Sequence, residues 1–76
     1  MDKLASIFRE VFEDPDLDIS DLNRKNFPDW DSFAQVKIVL GIEEEFGIKL
    51  SMDDVAVITS VEEFRRLISE KTQARV

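Results

Sequence analysis

The residue types that most often perform chemistry in proteins are scarce in this sequence. Its 76 residues include no Cys, no His and no Tyr. The absence of Cys and His excludes thiolate nucleophiles, Ser-His-Asp and Cys-His catalytic groups, and most zinc sites. Ligand pockets usually enclose roughly 300 Å³ or more, a volume that so short a chain can hardly provide. The composition therefore predicts a protein that is not an enzyme.

Ser32 is the hydroxyl with the most distinctive setting. It stands where a helical pattern begins, directly after Asp31, and Gln35 follows it at the spacing of a capping box. One interpretation is structural, since a cap serine accepts a hydrogen bond from a backbone N–H of the first helical turn. The other is chemical, because the unpaired N–H groups and the dipole at a helix start favour a phosphate. Spacing alone favours the cap.

Two clusters of acidic residues resemble functional sites but do not have the full pattern that those sites require. Three aspartates stand at alternate positions, as at the opening of a calcium loop: Asp14, Asp16 and Asp18. Ile19 occupies the position that needs Gly in such a loop, and Lys25 the position that needs a closing Glu. Three consecutive acids stand in the second helical pattern: Glu43, Glu44 and Glu45. Helical neighbours point in different directions, so these three do not converge. We expect no metal site and interpret both groups as solvated.

Hydrophobic spacing predicts one all-α domain over residues 1–76, with helices at about 3–13, 32–46, 52–57 and 60–71. The first helix has a single apolar stripe at helical spacing: Leu4, Ile7, Phe8, Val11 and Phe12. A long loop, 14–31, follows it, and its apolar residues should fix it across the core. Ser51 should cap the short third helix, and Ser60 with Glu63 should cap the fourth.

The second helix has more apolar surface than one packed face requires. One side is formed by Ile38, Val39, Ile42 and Phe46. A second stripe is formed by Phe33, Val36 and Leu40, with Glu43 beside it. Lys37 and Glu44 lie on the remaining face, and Gly41 is a poor helix former in the middle. The second stripe is either additional core or an exposed docking surface, and spacing supports the two equally.

The net charge of −7 restricts the partners. Binding to nucleic acid draws most of its affinity from Lys and Arg, so an acidic chain is expected to avoid nucleic acid and anionic lipid. A partner protein should present a basic surface instead. We also find no apolar run long enough to span a membrane and no secretory signal at the N-terminus, and we expect a cytoplasmic location.

A larger set of residues has the order and spacing of one known family. The set extends from the start of the second predicted helix to the start of the fourth: Asp31-Ser32-Phe33, Val36, Val39, Leu40, Glu43-Glu44-Glu45-Phe46, Ile48, Leu50, Asp53-Asp54 and Ile58-Thr59-Ser60-Val61. This pattern resembles that of acyl carrier proteins, and the first helix and long loop fit the same layout. The resemblance covers almost the whole chain.

The resemblance implies a four-helix bundle with a long first loop and a short third helix. It implies that Ser32, beside Asp31, is esterified by 4′-phosphopantetheine, which a separate phosphopantetheinyl transferase takes from coenzyme A. The thiol of this arm would carry acyl groups as thioesters between enzymes of fatty-acid or specialised, polyketide-like biosynthesis. Those acyl-loading and acyl-transfer enzymes would present basic patches to a docking surface on a carrier expected to be monomeric: Phe33, Val36, Lys37, Leu40, Glu43 and Glu44.

The sequence also departs from the family pattern. Phe33 replaces the usual Leu, and Lys37 stands where the family often has an acid. Trp30-Asp31-Ser32 resembles carriers of specialised pathways more than the housekeeping fatty-acid carrier. Alternatives to an acyl carrier are an unmodified helical adaptor in which Ser32 is only a cap, an aminoacyl or peptidyl carrier, and a calcium-binding loop protein.

Overall fold

The computed structural model describes residues 3–73, which form four α-helices and no β-strand. The helices are α1 (Lys3–Val11), α2 (Ser32–Phe46), α3 (Met52–Ala56) and α4 (Val61–Gln73). An isolated bridge between Asn23 and Ser60 joins the long loop to the start of α4. The all-α prediction is confirmed, and α2 has the predicted bounds. No helix in the described range is long and apolar enough to cross a membrane.

The end of α1 differs from the prediction because of one residue's backbone conformation. The helix was expected to reach Glu13, but Glu13 has a positive φ of 54° and lies outside it. The N–H of Glu13 donates to the carbonyl of Glu10 (3.2 Å), and the N–H of Asp14 donates to that of Arg9 (2.9 Å). These two bonds form a Schellman motif, which usually has Gly at the left-handed position. The helix therefore ends before Pro15 can act on it.

The core is built around three aromatic rings from three parts of the chain. The Phe8 ring meets the Trp30 ring edge-on at 5.1 Å between centroids, and the Trp30 ring stacks on the Phe64 ring at 6.2 Å. Trp30 comes from the long loop and is only 2% exposed. Ile19, from the same loop, is buried as well. The loop is therefore fixed across the core, as its apolar residues predicted.

Gly41 is explained by the close approach of α1 and α2. A Cβ atom at this position would lie 3.0 Å from Cγ2 of Ile7, closer than ordinary van der Waals contact. Ile7 is buried and β-branched, so its side chain has few alternative rotamers. The lower helix propensity of Gly is thus offset by tighter packing between the two helices.

Gln35 connects the loop, α2 and the segment around α3 through buried hydrogen bonds. The Trp30 indole Nε1–H donates to Gln35 Oε1 at 2.6 Å. Gln35 Nε2 donates to the carbonyl oxygens of Val55 at 3.0 Å and Ile58 at 3.3 Å. The prediction that Gln35 completes a capping box with Ser32 is therefore wrong. Its side chain points into the core and not back toward the helix start.

The short helix α3 is held through two contacts of Asp54. Ser51 Oγ accepts from the N–H of Asp54 at 3.0 Å, which confirms the predicted cap. Lys71 Nζ of α4 lies 3.4 Å from the Asp54 carboxylate. Hydrogen bonds from Ser51 and Lys71 lower the pKa of Asp54 below its ordinary value. These contacts hold α3 beside α4.

The predicted cap of α4 is confirmed at Ser60, but the Glu63 carboxylate accepts from the backbone N–H of Thr59, where a capping box would use that of Ser60. Ser60 Oγ accepts from the N–H of Glu63, and the Glu63 carboxylate accepts from Ser60 Oγ, both at 3.2 Å. The same carboxylate accepts from the N–H of Thr59 at 3.1 Å. The Thr59 N–H is the main reason that the pKa of Glu63 is lowered. The helix begins at Val61 and extends through Gln73, past its predicted end at residue 71.

The buried contact between Trp30 and Gln35 gives the first prediction. Gln35→Leu removes the acceptor but leaves the indole N–H buried, so it should lower the free energy of unfolding by about 2 kcal/mol. Trp30→Phe should also destabilise. The double variant should lose less than the sum of the two single losses, because both partners of the bond are then absent.

Urea denaturation of the four proteins measures this coupling. Glu45→Gln, an exposed change on the same helix, is the control and should alter stability by less than about 0.5 kcal/mol. Strictly additive losses in the double variant would contradict the role given to this bond.

Candidate functional site

The start of α2 is capped by Asp31 and not by Ser32. Asp31 has extended backbone angles, φ −100° and ψ −172°, and its Oδ1 accepts from the N–H of Ala34 at 2.9 Å. Its own carbonyl receives the N–H of Gln35. Ser32 is therefore the first residue inside the helix, and the interpretation of Ser32 as the cap is wrong. A predicted neighbour of the site, Asp31, has taken that structural role.

The Ser32 side chain is exposed and does not stabilise the described part of the fold through a hydrogen bond. No described residue makes a hydrogen bond with its hydroxyl. Ser32 is held by the backbone of the capped helix start, while its Oγ remains accessible. An exposed hydroxyl on a fixed backbone is accessible to another protein.

Ser32 opens onto a cleft of about 410 Å³ between α2 and α3, so the expectation that so short a chain can hardly provide a pocket of ligand size is wrong. Apolar side chains dominate its walls: Val36, Val39, Leu40, Leu50, Met52, Val55 and Ala56. The polar residues are concentrated at two places, with Arg24 and Gln35 joining Ser32, and Glu43 lying about three turns further along α2. The cleft can accept an apolar group that is attached next to it.

The second apolar stripe of α2 is an exposed surface. Phe33 is 70% exposed, Val36 49% and Leu40 58%. Ile38 and Ile42, on the other side of the helix, are completely buried. The sequence supported additional core and an exposed docking surface equally. The structure shows that this stripe is exposed and is not part of the core. Exposed apolar patches of this kind mark interaction sites.

The two predicted docking acids lie on opposite sides of the stripe. Glu43 is half-buried and faces the cleft between α2 and α3, where its Oε2 accepts from the N–H of Leu50 at 2.9 Å. Glu44 is exposed and lines the groove between α1 and α2. Leu40 borders both hollows and forms the ridge between them. Negative charge therefore flanks the stripe on both sides.

Lys37 has an aromatic partner on the same helix. Its Nζ lies 4.6 Å from the centroid of the Phe33 ring, one helical turn away, in a cation–π contact. Helical spacing placed Lys37 one turn from Phe33, and the structure shows that the two side chains are in contact. The contact places a positive charge directly over the first residue of the exposed stripe. Lys37 is thus part of that surface and not only its neighbour.

The acidic loop uses its carboxylates locally. Asp14 Oδ1 accepts from the N–H of Asp16 at 3.0 Å, and Asp18 Oδ1 accepts from the N–H of Ser20 at 3.0 Å and its hydroxyl at 2.7 Å. The Ser20 N–H is the main cause of the lowered pKa of Asp18. Across residues 3–73, no group of three or more His, Cys, Asp or Glu is placed to hold a metal ion.

Sequence reasoning missed two residues beside Ser32. Gln35 was assigned to a cap, although its partners lie in the core. Arg24 was not singled out, although its Nε donates to the carbonyl of Trp30 at 3.2 Å and its side chain borders the same cleft as Ser32. A partner that is a distant backbone carbonyl leaves no spacing signal in the sequence.

The family model and the similar proteins point to the same family. A family model described as "Phosphopantetheine attachment site" matches residues 2–68. Two acyl carrier proteins of Brassica napus, both named chloroplastic, are 47% and 44% identical to this chain over 45 residues. Those 45 residues are 59% of this chain and 34% of each relative, so the match spans about a third of the relatives' length. No solved structure matches.

The family match agrees with the geometry around Ser32. It covers most of the chain, and the residues present suit a phosphate ester, since the Ser32 hydroxyl is free and a guanidinium lies at the same cleft. The group attached in this family is 4′-phosphopantetheine, which supplies a thiol that the Cys-free chain lacks. The chain therefore belongs to the family of phosphopantetheine attachment domains, whose members are carriers and not enzymes.

Proposed function

We propose that this protein is an acyl carrier protein that bears 4′-phosphopantetheine on Ser32. The thiol of the arm holds acyl groups as thioesters and presents them to successive enzymes of fatty-acid or specialised, polyketide-like biosynthesis. The observation that supports this most strongly is the state of Ser32: the hydroxyl is exposed and has no partner among the described residues, because Asp31 caps the helix in its place. In this proposal the four helices form the bundle with a long first loop that is typical of acyl carriers.

A carrier without its own chemistry contributes by keeping its cargo close to the enzymes that act on it. A tethered substrate has a high effective concentration at each enzyme that the carrier visits. This requires that the attachment residue be fixed relative to the docking surface. Ser32 and the exposed stripe lie on the same helix, so docking of the stripe brings the arm to a defined position.

The docking surface of the proposal consists of the exposed stripe and its charged borders. Phe33, Val36 and Leu40 supply apolar contact area, and Glu43 and Glu44 attract a basic patch on the partner. The partners are the phosphopantetheinyl transferase and the acyl-loading and acyl-transfer enzymes. The net charge of −7 increases the rate of encounter with such basic surfaces. The monomeric state and cytoplasmic location remain predictions.

The alternative of an unmodified adaptor is weakened by the structure. It required Ser32 to serve as a cap, and Asp31 fills that position. An aminoacyl or peptidyl cargo remains compatible with the same attachment chemistry, and loading experiments on the modified protein distinguish it from an acyl cargo.

Modification at Ser32 gives the second prediction. Incubation with coenzyme A and a promiscuous phosphopantetheinyl transferase should add one 4′-phosphopantetheinyl group to the wild type, and none to Ser32→Ala. Because Asp31 provides the cap, Ser32→Ala should change stability by less than about 0.5 kcal/mol. Intact-mass spectrometry and urea denaturation measure the two effects.

Ser51→Ala is the matched control for the loss of a serine. It removes the cap of α3 and should cost about 1 kcal/mol, yet the mass gain should persist. A mass gain in Ser32→Ala, or none in the wild type, would refute the assignment.

The charge of Lys37 gives the third prediction. The cation over Phe33 weakens attraction to a wholly basic partner surface and can pair with an acidic residue on a dedicated partner. Lys37→Glu should therefore increase acyl loading by a generic fatty-acid transacylase and decrease loading by the cognate enzyme. Each effect should be several-fold, since one charge at an interface contributes on the order of 1 kcal/mol.

Lys3→Glu is a closely matched control for this experiment. Lys3 Nζ also lies over an aromatic ring, that of Phe46 at 5.7 Å, so the variant loses the same kind of contact and changes the net charge equally. Phe46 is at the other end of α2, about 20 Å from Ser32. Equal rates for Lys37→Glu and Lys3→Glu with both enzymes would show that Lys37 does not select partners.

A further inference from the structure

Arg24 is held in a defined position beside the attachment helix. Its backbone N–H donates to the carbonyl of Thr59 at 2.8 Å, and its side-chain Nε donates to the carbonyl of Trp30 at 3.2 Å. Trp30 is buried and precedes Ser32 by only two positions. Arg24 itself is half-buried. Most surface arginines sample several rotamers, but this one is fixed by a bond to the segment that leads into α2.

Within residues 3–73, the rest of the Arg24 guanidinium has no counter-ion. A guanidinium has five N–H donors, and the bond to Trp30 uses one of them. Among the residues that the structure describes, no carboxylate oxygen lies within 4.0 Å of it. This is notable in a chain with 17 acidic residues and a net charge of −7. The side chain instead borders the cleft onto which Ser32 opens.

We propose that Arg24 binds the phosphodiester of the arm attached to Ser32, an inference that rests on the proposed modification of that residue. The ester places a negative phosphate directly on Ser32 Oγ, next to the carboxylate of Asp31. The free face of a guanidinium is suited to phosphate, because its N–H groups form paired, charge-assisted hydrogen bonds with two oxygens. Arg24 offsets the repulsion between the phosphate and Asp31.

The contact also sets the direction in which the arm leaves Ser32. With its phosphate held on the side of Arg24, the arm leaves Ser32 along the cleft between α2 and α3 and not across the opposite groove, where four carboxylates outnumber the single cation of Lys37: Glu10, Glu13, Glu44 and Glu45. Arg24 is therefore a positioning residue for the arm. It has no part in the chemistry of transfer.

The test compares the unmodified and modified forms of four proteins: the wild type, Arg24→Gln, Arg24→Lys and Lys25→Gln. Lys25 is the adjacent exposed cation, so Lys25→Gln makes the same charge change one residue away. Mass spectrometry first establishes that each protein carries the arm. The readouts are the difference in melting temperature between the two forms at low salt, and the phosphorus-31 chemical shift of the modified form.

If Arg24 binds the phosphate, modification should raise the melting temperature of the wild type and Lys25→Gln by on the order of 4 °C more than that of Arg24→Gln. The phosphorus-31 resonance of Arg24→Gln should move toward its position in the urea-unfolded protein, whereas Lys25→Gln should keep the wild-type shift. Arg24→Lys should give intermediate values, because the charge remains but the paired geometry is lost.

Two other outcomes have different meanings. A purely structural Arg24 would lower the melting temperature of both forms of Arg24→Gln equally and leave the phosphorus-31 shift unchanged, which would overturn the inference while the carrier function stands. Failure of the wild type to gain the arm would overturn the carrier function and this inference together.

Discussion

The buried hydrogen bond between the Trp30 indole and the Gln35 side chain is the constraint on which the site depends. At 2.6 Å it joins the last buried residue of the long loop to the second turn of α2. The Nε2 of Gln35 donates to the carbonyl oxygens of Val55 and Ile58, which lie on either side of the α3 C-terminus. One side chain thus sets the separation of the loop, α2 and α3. A buried polar group of this kind specifies a single arrangement, because any other would leave its donors and acceptors unpaired.

This frame allows Ser32, the proposed attachment residue, to remain unconstrained. Asp31 satisfies the helix start, Gln35 fixes the helix against its neighbours, and Ser32 between them keeps a free hydroxyl. The apolar surface that a small domain would normally bury is instead displayed on Phe33, Val36 and Leu40. The molecule therefore retains exposed apolar area next to a modifiable oxygen, a combination expected of a carrier that must be recognised repeatedly and released each time.

Much of the helical framework was predictable because it depends on local patterns. The bounds of α2 and the caps at Ser51 and Ser60 follow from interactions within a few residues. Gln35 was misassigned for the same reason: its sequence spacing fits a local cap, whereas its amide donates to carbonyls 20 and 23 residues away. The early end of α1 escaped prediction because Glu13, and not Gly, adopts the left-handed conformation. Helical spacing identified the second stripe of α2, but only the packing of the other elements determined that nothing covers it.

The frame around Trp30 and Gln35 is tested most directly by native-state hydrogen exchange of the indole N–H. Trp30 is the single tryptophan of the chain, so its indole signal in a nitrogen-edited NMR spectrum is unambiguous. If the bond to Gln35 holds the loop, α2 and α3 together, this proton should exchange only when the whole domain unfolds, with an opening free energy equal to that from urea denaturation. Exchange at a much lower opening free energy, while the backbone amides of α1 stay protected, would show that the loop opens separately and would contradict the account.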